Sequence, residues 1–534
     1  MNLTCGEFLV RQLEAWGVDT VFGIPGVHTV ELYRGLPDSG IRHITPRHEQ
    51  GAGFMADGYA RVSGKPGVCF IITGPGMTNI LTAMAQAYAD SIPMLVISSV
   101  NERHRLGLGN GYLHELPDQR ALTAGVTAFS HTLMSVDELP AILARAFAVF
   151  DSARPRPVHL ELPLDVITAA ADHMTLQPRP KVSRPAADPS LIRAAVSRLR
   201  DAQRPLLLLG GGCIDAASEA QALAEALDSP TALTINAKGV LPSGHPLLLG
   251  SNQSLTPVRQ LARDADVVLA IGTELGETDY DVVFDGGFTI GGELIRVDIG
   301  AEQLSRNFIA TLAIQADARL AMAQLLDELP GRTLTAGSPG AKRTQAAQLA
   351  LAEQFVGWEH YRQLFDTLLA TLPEARFVGD STQTVYSGNH LVDTVAPRRW
   401  FNSATGYGTL GYGLPAAIGA KLADPSSPVI CLIGDGGLQF TLPELASAVE
   451  ARVGIIVLLW NNHGYGEIKR YMQRRDITPL GVDIHTPDFL TIARGFGCLA
   501  ERARDHAHLA ELLHMAPADR PLLIELMEVP PFHP

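Results

Sequence analysis

Short apolar runs that end in polar turns alternate with amphipathic stretches along this chain. Residues 429–433 form one run that leads to Asp435, and residues 455–460 form another that leads to Asn462. Residues 442–451, between them, have the periodicity of a helix. This order predicts two neighbouring parallel strands joined by a helix. Because ligands bind at the carboxyl ends of such strands, Asp435 and Asn462 are expected to meet at a ligand site.

A second strand-to-helix junction is predicted much earlier in the chain, at Glu49. The residues before Glu49 end a predicted strand, and residues 51–61 predict a helix that opens with small side chains. Small residues allow a ligand or a neighbouring backbone to approach closely. A lone glutamate before a helix is usually a solvated cap. The run of small residues, together with the glycine-rich stretch at 74–79, favours a functional role instead.

Length, composition and charge narrow the class of protein. The 534 residues, of which 46% are hydrophobic and 50 are glycine, indicate several α/β domains. The formal net charge of -14 argues against general binding to nucleic acid or to anionic membranes, and it is compatible with a cationic substrate. The five cysteines have no metal-binding or paired spacing, which predicts reduced thiols. We find no apolar run of transmembrane length and no signal peptide, so a cytoplasmic location is expected.

The polar residues predicted to meet near the C-terminal end suggest a metal site. Asp435 and Asn462 offer two hard oxygen ligands, and magnesium takes its remaining ligands from water and phosphate. A diphosphate is therefore the expected ligand. A tight turn followed by an asparagine-rich loop would explain the residues without any ligand. The spacing and the strand context favour the ligand site.

These motifs resemble those of thiamine diphosphate (ThDP) enzymes, in the family of acetohydroxyacid synthases, pyruvate oxidases and 2-oxo acid decarboxylases. The resemblance covers nearly the whole chain. It implies an α/β protein of three parallel-sheet domains with the ThDP-binding fold: a pyrimidine-binding domain at 1–170, a central domain at 190–335 and a diphosphate-binding domain at 355–534. In this family the cofactor lies between the first domain of one subunit and the third domain of another. The resemblance therefore implies at least a homodimer, and it favours a homotetramer.

The resemblance also implies roles for individual residues. Asp435, Asn462 and the backbone carbonyl of Gly464 would bind magnesium. Glu49 would hydrogen-bond the aminopyrimidine ring and help its amino group to remove the thiazolium proton. Leu410 would force the cofactor into its bent conformation. The other expected cofactor contacts are Ser381, Gln383, Thr384, Gly408, Gly434, Gly436, Gly437, Tyr465 and Gly466.

The implied chemistry is that of the cofactor, which accepts the electrons released as carbon dioxide leaves a 2-oxo acid. The remaining fragment is then protonated to an aldehyde or joined to a second carbonyl. His28 and His114 are candidate proton donors, since imidazole titrates near neutral pH. Glu115 is the alternative to His114, because the match in this segment can shift by one residue. A structural role is the alternative for either histidine.

Several segments depart from the acetohydroxyacid synthases. Residues 463–471 are closer to the decarboxylases, and an acidic strip at 274–281 stands where the synthases have an arginine that binds the acceptor. Residues 249–253 do not reproduce the segment that contacts flavin, so FAD is the less favoured cofactor. The glycines at 210–212 are compatible with a bound nucleotide, but we interpret them as the end of a strand.

Glu467 is the most unusual residue of the predicted pocket, because both comparison groups have an apolar side chain at its position. A buried carboxylate is costly unless it is paired. In one interpretation, Lys469 or Arg470 neutralises Glu467 within the protein. In the other, Glu467 faces a substrate with a cationic tail, and Glu115 or Asp118 helps to bind that tail. The second interpretation and the overall pattern resemble 5-guanidino-2-oxopentanoate (2-ketoarginine) decarboxylases.

The sequence therefore predicts a ThDP- and magnesium-dependent carboxy-lyase that decarboxylates a small-molecule 2-oxo acid, with carboligation as a side activity. The first alternative is an acetolactate synthase that condenses two pyruvates. The second alternative, from another class, is a catalytically silent ThDP-binding regulatory protein. Intact Glu49, Asp435 and Asn462 argue against the regulatory protein.

Overall fold

The computed structural model describes residues 3–281, 285–330, 335, 337–530 and 532. This part of the chain contains three sheets with helices between their strands. The prediction of three parallel-sheet α/β domains is confirmed. The chain forms two compact units. One unit comprises residues 1–182, 371–383 and 402–530, and the other comprises residues 183–370, 384–401 and 531–534.

The first sheet belongs to the first unit and has six strands. They are β1 (Thr20–Gly23), β2 (Arg42–Ile44), β3 (Gly67–Ile71), β4 (Met94–Val100), β5 (Phe129–Thr132) and β6 (Val158–Pro163). Their order is β2-β1-β3-β4-β6-β5, and neighbours run parallel. The helices of this region are α1 (Cys5–Ala15), α2 (Val30–Arg34), α3 (Glu49–Ser63), α4 (Pro75–Asp90), α5 (Gln119–Thr123), α6 (Leu139–Ser152) and α7 (Leu164–Ile167).

The second sheet belongs to the second unit and has five strands. They are β7 (Pro205–Leu209), β8 (Thr231–Leu233), β9 (Val267–Ile271), β10 (Glu293–Asp298) and β11 (Leu312–Gln315). Their order is β11-β10-β9-β7-β8, again parallel. The helices of this region are α8 (Pro189–Asp201), α9 (Ala217–Leu227), α10 (Thr256–Asp264), α11 (Glu277–Tyr280), α12 (Ala318–Glu328) and α13 (Pro339–Gln354).

The third sheet has six strands. They are β12 (Arg376–Gly379), β13 (Trp400–Asn402), β14 (Val429–Gly434), β15 (Ile456–Asn461), β16 (Leu499–Arg502) and β17 (Leu522–Met527). Their order is β13-β12-β14-β15-β17-β16. The helices are α14 (Glu359–Thr371), α15 (Gln383–Leu391), α16 (Gly413–Ala423), α17 (Asp435–Thr441), α18 (Glu444–Glu450), α19 (Gly466–Arg474), α20 (Phe489–Gly495) and α21 (His506–His514).

The central strands read as continuous apolar runs because helices cover both faces of each sheet. All seven residues of β4 are buried, and so are all six residues of β15. Because the strands run parallel, the loops that follow them all lie at the carboxyl edge of the sheet. That edge positions the candidate site residues described below.

The glycines at 210–212 have a structural explanation in the second unit. They follow β7, and two of them, Gly210 and Gly212, pack against Gly272, which follows β9. A Cβ atom on Gly210 would lie 2.1 Å from the carbonyl oxygen of Gly272, so the two strand ends approach too closely for a side chain.

Two residues of the acidic strip at 274–281 have partners within the second unit. Asp279 accepts a hydrogen bond from the backbone of Ile235, and Asp281 pairs with Arg259.

The predicted domain limits remain a prediction. Residues 282–284 and 331–334 of the predicted central domain lie outside the described residues, as do residues 1–2, 531 and 533–534 of the outer domains. In the described part, we find no helix that is both long and apolar enough to cross a membrane. All five cysteines are buried free thiols.

Candidate active site

The first set of predicted site residues lies at the carboxyl ends of three adjacent strands, β12, β14 and β15. Ser381 comes shortly after β12, Asp435 follows β14, and Asn462 follows β15. The predicted approach of Asp435 to the residues after β15 is present. Oδ2 of Asp435 accepts a hydrogen bond of 2.8 Å from the backbone nitrogen of Gly464, and Oδ1 lies 3.5 Å from the backbone nitrogen of Asn462.

Asp435 is a buried carboxylate at the start of α17, only 1% exposed. The hydroxyl of Thr486 donates a further hydrogen bond of 3.3 Å to its Oδ2. Burial raises the pKa of Asp435, and the surrounding N–H and hydroxyl donors oppose this rise. A bound cation would oppose it further, because an opposite charge favours the ionised form.

The oxygen atoms expected to bind magnesium fit a hard cation. Oδ1 of Asn462 is buried and has no hydrogen-bond partner among the described residues. A buried acceptor without a partner is costly, so an unpaired amide oxygen beside Asp435 suits a ligand. No cluster of three or more His, Cys, Asp or Glu able to bind a metal occurs in the described ranges. The protein would supply only three ligands: one carboxylate, one side-chain amide and one backbone carbonyl. Such a small set suits an ion that takes its other ligands from water and phosphate.

The backbone at this edge leaves no room for side chains. Gly464 has a φ of 148°, and a Cβ atom there would lie 2.3 Å from the carbonyl oxygen of Val482. A Cβ atom on Gly466 would lie 2.5 Å from Nδ2 of Asn462, and one on Gly436 would lie 2.7 Å from the ring of Tyr465. These three glycines therefore set the path of the loop whose carbonyl is expected to bind the metal.

Asp380 organises this edge, although sequence reasoning did not assign it a contact. It is fully buried, its Oδ2 accepts a hydrogen bond of 2.9 Å from the backbone of Gly413, and its Oδ1 accepts one of 2.8 Å from the backbone of Ser381. Burial raises the pKa of Asp380 to about 6. A Cβ atom on Gly437 would lie 2.9 Å from its Oδ1. An aspartate between a strand and a serine was the available signal.

The other predicted cofactor contacts belong to both compact units. The hydroxyl of Ser381 lies 3.5 Å from that of Ser403. Gly408 is exposed and Leu410 is half-buried in the loop after β13. Thr384 belongs to the second unit, where it is buried and its Oγ1 has no partner within the described part of the chain.

Glu467 is paired inside the protein. Its carboxylate accepts a hydrogen bond from the amide of Gln383, lies 3.2 Å from Nη2 of Arg474 and lies 3.5 Å from Nη2 of Arg470. Lys469 instead pairs with Asp483 at 2.6 Å. Of the two cations named from the sequence, Arg470 is therefore the partner, and sequence reasoning missed Arg474. The side chain of Glu467 remains 38% exposed.

The second set of predicted residues lies at the carboxyl edge of the first sheet. The strand order β2-β1-β3-β4 brings together the segments that follow these strands, and these segments contain Glu49, His28, Asn79 and His114. Oε2 of Glu49 accepts a hydrogen bond of 2.9 Å from Nδ2 of Asn79. Asn79 was part of the glycine-rich stretch noted in the sequence, but no role was assigned to it.

His28 and His114 form a pair, with 5.3 Å between their ring centroids. His28 is 6% exposed, and burial together with the charge of His114 lowers its pKa. Nδ1 of each ring is buried and finds no hydrogen-bond partner among the residues described. His114 has a φ of 59°, and a Cβ atom on Gly74 would lie 2.9 Å from its Cβ. Two imidazoles with unused nitrogen atoms can exchange protons with a ligand.

Glu115, the alternative to His114, and Asp118, an expected helper of Glu467, both bind the local backbone. Glu115 accepts hydrogen bonds from the backbone nitrogens of Gly109, Gly111 and Tyr112, at 2.8, 2.8 and 3.0 Å. Oδ1 of Asp118 caps α5 through the backbone nitrogen of Ala121. Both side chains thus have a structural task in the loop that follows β4.

A buried network behind this edge was not foreseen. Oε1 of Gln119 accepts hydrogen bonds from the hydroxyl of Thr73 and the backbone of Gly74, at 2.8 and 3.1 Å. Its Nε2 donates a hydrogen bond of 3.0 Å to Glu161, a residue that also lines a cavity of about 720 Å³. Gln119 therefore fixes the turn that precedes α4, the helix of Asn79.

Comparison with known protein families shows to which family this chain belongs. Models of the thiamine pyrophosphate enzymes match three parts of the chain. The N-terminal TPP binding domain matches residues 3–122, the central domain matches residues 192–325, and the C-terminal TPP binding domain matches residues 380–526. The chain belongs to the thiamine pyrophosphate enzyme family. The prediction of a ThDP enzyme is thereby confirmed.

Curated relatives of this thiamine pyrophosphate enzyme span nearly its whole length. It is 48% identical to the probable 2-ketoarginine decarboxylase AruI of Pseudomonas aeruginosa, over 94% of this chain and 90% of that protein. It is 33% identical to the acetolactate synthase isozyme 1 large subunit of Escherichia coli, over 96% of this chain and 92% of that protein. It is 31% identical to the acetolactate synthase of Mycobacterium bovis, over 98% of this chain and 88% of that protein.

Proposed function

We propose that this enzyme decarboxylates 5-guanidino-2-oxopentanoate without oxidation, with ThDP and magnesium as cofactors. The observation that carries the proposal is the 48% identity to a probable 2-ketoarginine decarboxylase. The acetolactate synthase of Escherichia coli is matched over a similar share of the chain at 33% identity. The buried oxygen atoms at the third sheet edge and the Glu49–Asn79 and His28–His114 pairs support the same proposal.

The third sheet edge is proposed to bind the diphosphate end of the cofactor. Asp435, Asn462 and the carbonyl of Gly464 would hold magnesium, and Ser381 would contact the diphosphate. The orphaned Oδ1 of Asn462 supports this assignment. ThDP, when bound, supplies a thiazolium ring that accepts the electron pair released as carbon dioxide leaves. The remaining proposed contacts are Gln383, Thr384, Gly408, Leu410, Gly434, Gly436, Gly437, Tyr465 and Gly466.

The first sheet edge is proposed to move protons. The carboxyl of Glu49, held by Asn79, would hydrogen-bond the aminopyrimidine ring and exchange a proton with it. His28 and His114 would pass on the proton that converts the decarboxylated fragment into an aldehyde. The lowered pKa of His28 keeps it neutral near pH 7, so it suits an acceptor or relay. Unused Nδ1 atoms on both rings support this role.

Recognition of the guanidinium tail is proposed to involve Glu467. Its present partner Arg474 is 57% exposed, and exposed ion pairs contribute only about 0–1 kcal/mol. Exchange of the Arg474 guanidinium for that of the substrate therefore costs little. Substrate binding would then leave the net charge beside Glu467 unchanged, because the guanidinium of the substrate takes the place of that of Arg474.

The matched substrate for a test is 5-ureido-2-oxopentanoate. Its tail has the shape of the guanidino tail but carries no charge. We expect wild-type kcat/KM to be at least about tenfold higher for the guanidino acid than for the ureido acid, the loss of one charge-assisted contact. Glu467→Gln should remove most of this preference and leave the ureido acid nearly unaffected. Asp483→Asn is the control, since Asp483 pairs with Lys469, which lies on α19 as Glu467 does. Equal losses on both acids in Glu467→Gln would contradict the assignment of Glu467.

Acetolactate synthesis is the second candidate function, favoured by the relatives named above. It requires pyruvate as both donor and acceptor. No turnover of the guanidino acid, with acetolactate formed from pyruvate, would establish acetolactate synthesis in place of the decarboxylase.

We also propose that the protein is a homotetramer, with a homodimer as the minimum, from the family resemblance. Sedimentation velocity measures this oligomeric state.

A further inference from the structure

We propose that Glu444, a residue of α18, is the positioning residue for Glu49. The inference rests on the proposed role of Glu49 as the group that exchanges a proton with the cofactor. It adds a second carboxylate, 395 positions further along the chain, that fixes where Glu49 stands. Both residues belong to the first compact unit.

The carboxylate of Glu444 binds the backbone immediately before Glu49. Glu444 is 1% exposed. Its Oε1 accepts hydrogen bonds from the backbone nitrogens of Arg47 and His48, at 3.0 and 3.1 Å. Its Oε2 lies 3.1 Å from the backbone nitrogen of Arg47 and accepts a hydrogen bond of 2.6 Å from the hydroxyl of Ser447. Both oxygen atoms are thus engaged, and three of the four contacts are with the junction.

The same carboxylate also contacts the backbone just after Glu49. A Cβ atom on Gly51 would lie 2.2 Å from Oε1 of Glu444, so the first turn of α3 packs directly on this oxygen. Glu444 therefore touches the chain on both sides of Glu49. The small residue at position 51, noted in the sequence, has its physical reason here.

Other contacts between α18 and the junction lie at the surface. Nη2 of Arg47 pairs with Glu450 at 2.5 Å, and the side chain of Glu450 is 55% exposed. Exposed pairs of this kind contribute little to the stability of a structure. Glu450 thus offers a matched control: it is a second carboxylate of the same helix, bound to the side chain of Arg47 rather than to the backbone.

The chemistry of the contact allows a conservative rescue. Burial raises the pKa of Glu444 to about 7, against the effect of Ser447 and of the backbone donors. The contacts to Arg47 and His48 need only an acceptor oxygen. A glutamine can present its amide oxygen, in the place of Oε1, to both N–H groups and donate an amide hydrogen to the hydroxyl oxygen of Ser447. Only the second contact of the Arg47 nitrogen, with Oε2, is lost. Glu444→Gln should therefore preserve the junction, whereas Glu444→Ala leaves two buried N–H groups without an acceptor.

A displaced Glu49 should show as a slow proton exchange rather than as weak binding. The direction of its side chain depends on the junction on one side and on Asn79 on the other. A displacement of about 1 Å in a reacting group costs about 100-fold in rate. Magnesium and the diphosphate would be held by residues at the other sheet edge, which the Glu444 contacts do not include.

The experiment measures hydrogen–deuterium exchange at C2 of ThDP bound to the magnesium-loaded protein without substrate, by rapid quench and NMR. Glu444→Ala should slow the exchange about 100-fold, while Glu444→Gln and Glu450→Ala stay within about threefold of wild type. The dissociation constant of ThDP, from tryptophan fluorescence, and the thermal unfolding of Glu444→Gln should remain close to wild type. Glu444→Asp, which withdraws the carboxylate by one methylene, should slow the exchange about tenfold and provides the test if Glu444→Ala does not fold.

Wild-type exchange in folded Glu444→Ala or Glu444→Asp would overturn the inference. Loss of ThDP affinity in Glu444→Asp equal to the loss of exchange rate would also overturn it, because that result indicates a general structural role. Glu49→Gln is measured alongside. If Glu49→Gln exchanges at the wild-type rate, the proposed role of Glu49 fails; if it exchanges slowly and the Glu444 variants do not, only the present inference fails.

Discussion

Replacing Glu49 by glutamine should lower the rate of decarboxylation by about 100- to 10,000-fold, the range that a positioned acid or base contributes. Glutamine keeps the size of the side chain and its hydrogen bond to Asn79, but it cannot exchange a proton with the aminopyrimidine ring. The measurement is single-turnover release of carbon dioxide from 5-guanidino-2-oxopentanoate. The dissociation constant of ThDP should change by less than about threefold, because the carboxyl has no charged partner among the described residues that would be left unpaired.

Asn79→Ala is the graded companion of this variant. It removes the hydrogen bond of 2.9 Å to Oε2 of Glu49 and leaves the carboxyl in place. A bond to a charged group contributes about 1.5–3 kcal/mol, so a loss of about 10- to 150-fold is expected. An active Glu49→Gln variant would contradict the assignment of Glu49 whatever Asn79→Ala does. A loss in Asn79→Ala larger than that in Glu49→Gln would also contradict it.

Replacing Asp435 by asparagine should weaken magnesium-dependent binding of ThDP by about 2–5 kcal/mol, the usual cost of truncating one partner of a buried charge pair. That is roughly 30- to 4,000-fold in the dissociation constant. Asparagine keeps an acceptor for the backbone of Gly464 but removes the only carboxylate among the three expected ligands. The measurement is a titration of the apoprotein with ThDP at fixed magnesium, followed by tryptophan fluorescence.

Asp483→Asn is the matched control for Asp435→Asn. Asp483 is 68% exposed and pairs with Lys469 at the surface, in the segment that adjoins Gly464. Its replacement should change the dissociation constant by less than about threefold, as for other exposed ion pairs. Magnesium dependence that survives in Asp435→Asn would show that the ion is held elsewhere.

The third sheet edge could be predicted from sequence because its information is local. Apolar runs of strand length followed by Asp435 and Asn462, with a helix predicted between them, define adjacent parallel strands, and the structure places the two residues at neighbouring strand ends. The structure has two short helices there, α17 and α18, of which only the second was predicted. The partners of Glu467 could also be predicted from sequence, because they lie close to it along the chain. Arg470 and Arg474 stand three and seven positions after Glu467, on one face of α19. Arg470 is predicted as a partner but Arg474 is not, because no helix is predicted from the sequence for this segment.

The contacts that join distant segments could not be predicted in this way. Glu444 opens a short helix with an unremarkable amphipathic pattern, and nothing near it in sequence indicates that it binds the backbone at Arg47. Gln119 similarly bonds residues on β4 and β6, which periodicity does not bring together. The His28–His114 pair depends on the strand order β2-β1-β3-β4, and apolar runs identify strands but not their order. Such contacts are decided by packing of the whole unit.

The most direct test of the decarboxylase proposal is product analysis by NMR with the ThDP- and magnesium-loaded protein. The protein is incubated with 5-guanidino-2-oxopentanoate or with pyruvate alone. Our account predicts guanidinobutyraldehyde and carbon dioxide from the first, and little turnover of the second. Acetolactate from pyruvate, with no aldehyde from the guanidino acid, would contradict the account and identify an acetolactate synthase.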